Sequence, residues 1–234
     1  MSPRALRYGT TPNTLLVATF QGLRRRCVIL FAPAVLLVAC VTVEPPKPDE
    51  ISQPFRQHYE AGVRAEGKAD YRAAQREYAQ AYKIAEDDKL GPAALSAATY
   101  ELGRVTGYLC DYSRAHRLLR QSLEIEERVS GPYSANTSAR YMELARLNYD
   151  NGRYAQAVPY YERAIPLLEK LDVDKRDPLG FAEALDEFGA SLSHIGATSE
   201  AQRVLRRADR MRAQNSNRAR SYIPRRYDRN CPRT

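Results

Sequence analysis

The side chains able to do chemistry are few and scattered. Three histidines, His58, His116 and His194, and four cysteines, Cys27, Cys40, Cys110 and Cys231, are spread over 234 residues. A helical His-Glu-x-x-His would bind zinc and a Cys-x-x-Cys pair would do redox or metal chemistry; neither occurs. Nor is there a Gly-x-Ser-x-Gly nucleophile turn or a glycine-rich phosphate loop. Two acidic clusters, Glu86-Asp87-Asp88 and Glu124 with Glu126 and Glu127, read as solvated faces near helix ends. No catalytic residue, metal or cofactor is therefore expected. The chain reads as a binding protein, and the question becomes what surface it builds.

That surface must come from a repeat. Gly62, Ala74, Tyr78 and Ala81 set a pattern that returns as Gly103, Ala115, Leu119 and Ser122, then Ala145, Ala157, Tyr161 and Ala164, then Gly189, Ala201, Leu205 and Ala208. Within each copy the last three lie +12, +16 and +19 from the first, and the downstream alanine advances by 41, 42 and 44 residues. Residues at i, i+4 and i+7 share one helical stripe, so each triplet is a face. Small residues let two helices approach to about 8–10 Å while the larger one fills the hole beside them. Between the helices sit turn signals, Ala69-Asp70-Tyr71, Cys110-Asp111-Tyr112, Gly152-Arg153-Tyr154 and Gly196-Ala197-Thr198. A period of this size means stacked helical hairpins.

These residues resemble the tetratricopeptide repeat, most closely in the third copy, Leu144-Ala145 through Gly152-Arg153-Tyr154 to Ala157, Tyr161 and Ala164. The long period, with Gly91-Pro92, Gly131-Pro132 and Asp177-Pro178 closing three copies, is similar to the kinesin-light-chain type of roughly 42 residues. The resemblance implies an all-α, right-handed superhelical solenoid of about four hairpins over residues 54–212. Ser122 and Thr198 depart from the pattern. Pro159 is tolerable in a first helical turn, whereas Pro166 implies a kink or an early end.

The N-terminal 39 residues carry five arginines and no acid, then an apolar run from Val28 to Ala39. That is the layout of a secretory signal. Leu37-Val38-Ala39-Cys40 resembles the bacterial lipobox, which implies lipidation of Cys40; Val41 in the next position implies sorting to the outer membrane. An uncleaved inner-membrane anchor over residues 27–43 is the alternative. Either version places the repeats in the periplasm. Residues 40–53, with Pro45, Pro46 and Pro48, form a semi-extended tether. Export leaves Cys110 and Cys231 as candidates for a bridge that an oxidising compartment permits. Cys110 lies in a repeat turn and Cys231 in the tail, so pairing is left open.

Charge is segregated. The formal net charge of +8 divides into +5 for the signal, −6 for residues 40–202 and +9 for residues 203–234. The arginines of the last helix suit a polar cap on a solenoid. Residues 213–234 hold too few apolar side chains to pack, and disorder is expected there. Their arginines could contact anionic lipid, fold back on the acidic repeats, or bind nucleic acid; export excludes the last in practice, and lipid ranks first.

In a stack of such hairpins the first helices line a concave groove. The inner positions are Tyr59, Val63, Tyr100, Arg104, Tyr108, Met142, Arg146 and Tyr149. Tyrosine and arginine offer contact area and carboxylate binding, so Arg104 and Arg146 are expected to clamp an acidic segment of a protein or peptide partner. The alternative is pairing with Glu101 or Glu143. The expected function is a scaffold or assembly adaptor in the cell envelope, with recruitment of a cell-wall enzyme as the alternative.

Overall fold

The computed structural model describes residues 52–218, 225–227 and 231. The signal, Cys40 and most of the tether lie outside them. Among the described residues there are nine helices and no strand: α1 Gln53–Gly67, α2 Tyr71–Asp87, α3 Pro92–Tyr108, α4 Tyr112–Ser130, α5 Ala135–Asp150, α6 Tyr154–Lys170, α7 Val173–Arg176, α8 Pro178–His194 and α9 Thr198–Gln214. Eight pair as consecutive hairpins, and α7 is a single turn between the third and the fourth. The fold is an all-α solenoid of helical hairpins.

The steric logic of the repeat holds at its contact points. A Cβ on Gly62 would lie 2.6 Å from Tyr78 Cε1, one on Gly103 2.9 Å from Leu119 Cγ, and one on Gly189 2.7 Å from Leu205 Cδ2. The first helix of each of these hairpins thus touches the large residue sixteen positions on. Ala74, Tyr78, Ala81, Ala115, Leu119, Ala157, Tyr161 and Ala164 are all fully buried. Leu205 is only half-buried, because among the described residues no further hairpin covers α9.

Each hairpin turns through one left-handed residue. It is glycine in the third and fourth copies (Gly152 φ 71°, Gly196 φ 82°) but Ala69 (φ 58°) and Cys110 (φ 71°) in the first two. The next amide donates to the carbonyl five residues back, Asp70 to Ala65 at 3.0 Å and Asp111 to Thr106 at 3.2 Å, satisfying helix-end acceptors. Those two aspartates then cap the following helix, each accepting at 3.0 Å from the amide three residues on.

Two expectations change. Pro166 does not end α6: the helix runs unbroken to Lys170 with Pro159 and Pro166 both inside it, Pro159 in the second turn rather than the first. Each proline removes one intrahelical donor, but α6 buries Ala157, Val158, Tyr161, Ala164, Ile165 and Leu167 between its neighbours, and that packing holds the helix together. Glu126 is not on a solvated face. It is 3% exposed and pairs with Arg140 at 3.1 Å, while Ser96 Oγ donates to it at 2.8 Å and also bonds Ser122. The apparent departure at Ser122 is therefore part of a polar contact between the second and third hairpins. Glu86, Asp87 and Asp88 are exposed.

Candidate functional site

The inner faces of α1, α3, α5 and α8 carry an acidic ladder. Two residues before the small residue of every copy stands a glutamate: Glu60, Glu101, Glu143 and Glu187. Glu60 is exposed at the first hairpin and pairs with Arg64 at 3.6 Å. The other three sit in the groove. Tyr59 donates to Glu101 at 3.4 Å and Tyr100 to Glu143 at 3.5 Å, so the inner tyrosine of one copy serves the glutamate of the next. In the third copy that position is Met142, which cannot donate. It is buried in the core, and Tyr161 donates to Glu187 at 2.8 Å instead. In the sequence the ladder is a repeated residue in fixed register with the small residues beside it.

Arg104 lies at the centre of the ladder. Its guanidinium meets Glu101 at 2.5 Å, Glu66 at 2.7 Å and Glu143 at 3.8 Å, and stands 5.7 Å and 5.9 Å from the rings of Tyr100 and Tyr108. Burial opposes its charge, but the surrounding carboxylates, led by Glu101, hold its proton more tightly than usual. Burial pushes the Glu101 carboxyl up, against the pull of Arg104. Arg146 is bound to Glu187 at 3.3 Å. The two arginines expected to clamp a partner's carboxylate are thus engaged by the protein's own carboxylates, and what they leave is an acidic groove: Glu66, Glu101, Glu143, Asp150 and Glu187 outnumber them.

Residues 225–227 and Cys231 lie in the groove. Tyr227 is fully buried, its ring stacked on Tyr108 with centroids 4.7 Å apart. Gly107 makes the room: a Cβ there would lie 2.5 Å from Tyr227 Cε1. The Tyr227 amide donates to Asp150 Oδ2 at 2.8 Å, and its hydroxyl donates to Glu143. Arg226 reaches both Asp150 and Glu187 at 2.5 Å and covers the Tyr149 ring at 5.0 Å. Arg225 donates to the Glu66 carbonyl at 2.8 Å. Cys231 forms a disulfide with Cys110, Cα atoms 5.5 Å apart across 121 residues of sequence. Too few apolar residues to build a core is not the same as too few to dock: one tyrosine, two arginines and a covalent bond place these residues. Of the three readings of the tail, folding back onto the acidic repeats is the one they take.

The groove residues proposed from sequence divide accordingly. Tyr59, Tyr100, Arg104 and Tyr108 meet around Glu101 and Glu143; Arg146 and Tyr149 meet at Glu187 and Arg226. Val63 is half exposed, and Met142 belongs to the core. The histidines are dispersed: His58 bonds Glu77 at 2.8 Å, His116 faces the Tyr160 hydroxyl at 3.4 Å, and His194 stacks on Tyr154. Among the described residues no group of three His, Cys, Asp or Glu is placed to hold a metal.

Residues 95–170 match the family model for the tetratricopeptide repeat. That stretch carries tetratricopeptide repeats. Among solved structures it is similar to BtubC (BKLC) from P. vanneervenii, with a TM-score of 0.65 and 22% identity over 76% of this chain and 71% of that one. It is also similar to the apo form of RapI, TM-score 0.61 and 14% identity, covering 75% of this chain and 60% of RapI. Nearly identical tetratricopeptide-like repeats of a Podosopora anserina kinesin light chain align at TM-score 0.45 and 18% identity, over 72% of this chain and 100% of that one. Identities this low speak to fold alone. No curated protein matches the chain. The tetratricopeptide-repeat fold suggests a protein-interaction scaffold, and the groove is the inner face of its hairpins.

Proposed function

We propose that the protein is a lipid-anchored adaptor, held at the outer membrane through Cys40 with its repeats facing the periplasm, that gathers envelope proteins through its concave groove. The observation that carries this reading is the occupied groove. A row of carboxylates, tyrosines and a glycine notch already accommodates Arg226 and Tyr227, which is what an adaptor must do with a partner. The Cys110–Cys231 bond supports an oxidising compartment. Leu37-Val38-Ala39-Cys40 supports the lipid, and the proline-rich residues 41–53 supply a spacer of ~3 Å per residue between membrane and repeats.

Metabolic labelling with a palmitate analogue tests the anchor. The wild-type protein should take up label and sediment with outer membranes. Cys40→Ser should lose both properties while keeping its helical content. A wild-type protein that carries no label contradicts the anchor.

A further inference from the structure

Resting on the adaptor reading above, we propose that the groove is a receptor for a basic partner segment bearing an Arg-Tyr pair, and that residues 225–227 occupy it as an internal stand-in pinned by the Cys110–Cys231 disulfide. The charge of the site sets the partner's chemistry. Once Arg104 and Arg146 are engaged, Glu143, Asp150 and Glu187 still converge on one stretch of the groove, and Arg226 answers two of them at 2.5 Å. A guanidinium suits that geometry because its fork can meet two carboxylates while its plane covers an aromatic ring, here Tyr149. An acidic segment would bring like charge against these carboxylates.

The neighbouring position is as specific. Gly107 and Tyr108 shape a slot that accepts a flat ring, and Glu143 at its end accepts a phenolic hydroxyl. Asp150 takes the backbone amide at 2.8 Å as well as the arginine, so the pair is read through main chain and side chain together. Beyond Arg226 the groove continues as a cavity of about 270 Å³ lined by Leu179, Glu183, Asp186 and Arg212, space that the internal segment leaves to a longer partner.

Cys231 lies four residues after Tyr227, and its bond to Cys110 at the end of the same groove holds the stand-in in place. A tethered segment competes at an effective concentration of ~1 mM, so an internal segment whose intrinsic Kd is ~10 µM weakens any partner's apparent affinity ~100-fold. Thiol–disulfide exchange removes this pin and leaves only the chain's own link to α9, which loosens the stand-in. A dithiol supplies two electrons and two protons, the Cys110 and Cys231 thiols form, and the dithiol becomes a disulfide.

The test uses the full chain without its signal, and as probe a fluorescent peptide of sequence Pro-Arg-Arg-Tyr-Asp-Arg, that of residues 224–229. Its anisotropy is followed against oxidised wild type and against a variant with Arg226→Ala, Tyr227→Ala and Cys231→Ser, whose groove is vacated. Binding should be ~100-fold tighter to the variant and lost when the probe's second arginine is replaced by glutamate. No binding to a folded variant, or equal binding of an all-acidic peptide, overturns the proposal. If that variant loses helix, Cys231→Ser alone takes its place: it should bind the probe more tightly than oxidised wild type, and equal affinity again overturns the proposal. These measurements need no membrane, so failure of the lipid anchor and failure of the groove chemistry are separable.

Discussion

Arg104→Ala should lower stability by about 3–5 kcal/mol, because it leaves buried carboxylates without their counter-charge. Glu66, Glu101 and Glu143 all lie within 4 Å of that guanidinium in wild type. For a domain of this size the loss corresponds to a fall in Tm of roughly 10 °C. The loss should depend on pH in a definite direction. Burial already raises the Glu101 carboxyl, and Arg104 opposes the rise. Without Arg104 the folded-state value climbs further above the unfolded one. A group raised in this way favours folding below its unfolded value of ~4.3 and withdraws that support as pH rises through the folded value. The deficit relative to wild type should therefore be full at neutral pH and shrink on acidification. Thermal unfolding of the pair across pH 4–8 checks it; a deficit that ignores pH would mean that packing, not charge, was lost.

Arg140→Ala should cost a similar ~3–5 kcal/mol for the same physical reason at a different place. Glu126 is buried against Arg140 at 3.1 Å, with Ser96 and Ser130 donating to it. Burial alone would raise its carboxyl; the hydrogen bonds from Ser130 and Ser96 and the charge of Arg140 outweigh that and hold it below the usual range. Its contribution is then present above the unfolded value and lost as pH falls through the folded one. Replacing the whole set with apolar residues, Ser96→Ala with Glu126→Leu and Arg140→Met, should leave stability within about 1–2 kcal/mol of wild type and remove this acid sensitivity. Denaturant unfolding of both variants separates the cases. A triple variant as unstable as Arg140→Ala would show that the site is not an ion pair exchangeable for packing.

The parts of this molecule that were legible in the sequence are those set by short-range sterics. Gly62 against Tyr78 and Gly103 against Leu119 lie sixteen residues apart on adjoining helices, so spacing alone announces the contact. The capping aspartates at 70 and 111 are equally local. Interactions between hairpins were harder. Glu126 reads as solvated from sequence because its partner, Arg140, stands on the next hairpin, and Ser122 reads as a departure because it meets that same arginine as well as Ser96 of its own hairpin. The glutamates at 101, 143 and 187 repeat in register, but their burial depends on Arg104, Arg146 and the tail, which the repeat does not encode. The tail was the least legible of all. Its contacts join residues distant in sequence, 39 positions for Arg226 with Glu187 and 77 for Tyr227 with Asp150, and no local pattern marks one tyrosine among many as an anchor.

Hydrogen exchange of the full oxidised chain tests the central claim most directly. The Tyr227 amide, buried and bonded to Asp150, should exchange slowly in the oxidised protein, and reduction of the Cys110–Cys231 bond should speed it while the helix amides of α3 and α5 stay protected. An amide at Tyr227 that exchanges as fast as an open chain in the oxidised state would contradict the account.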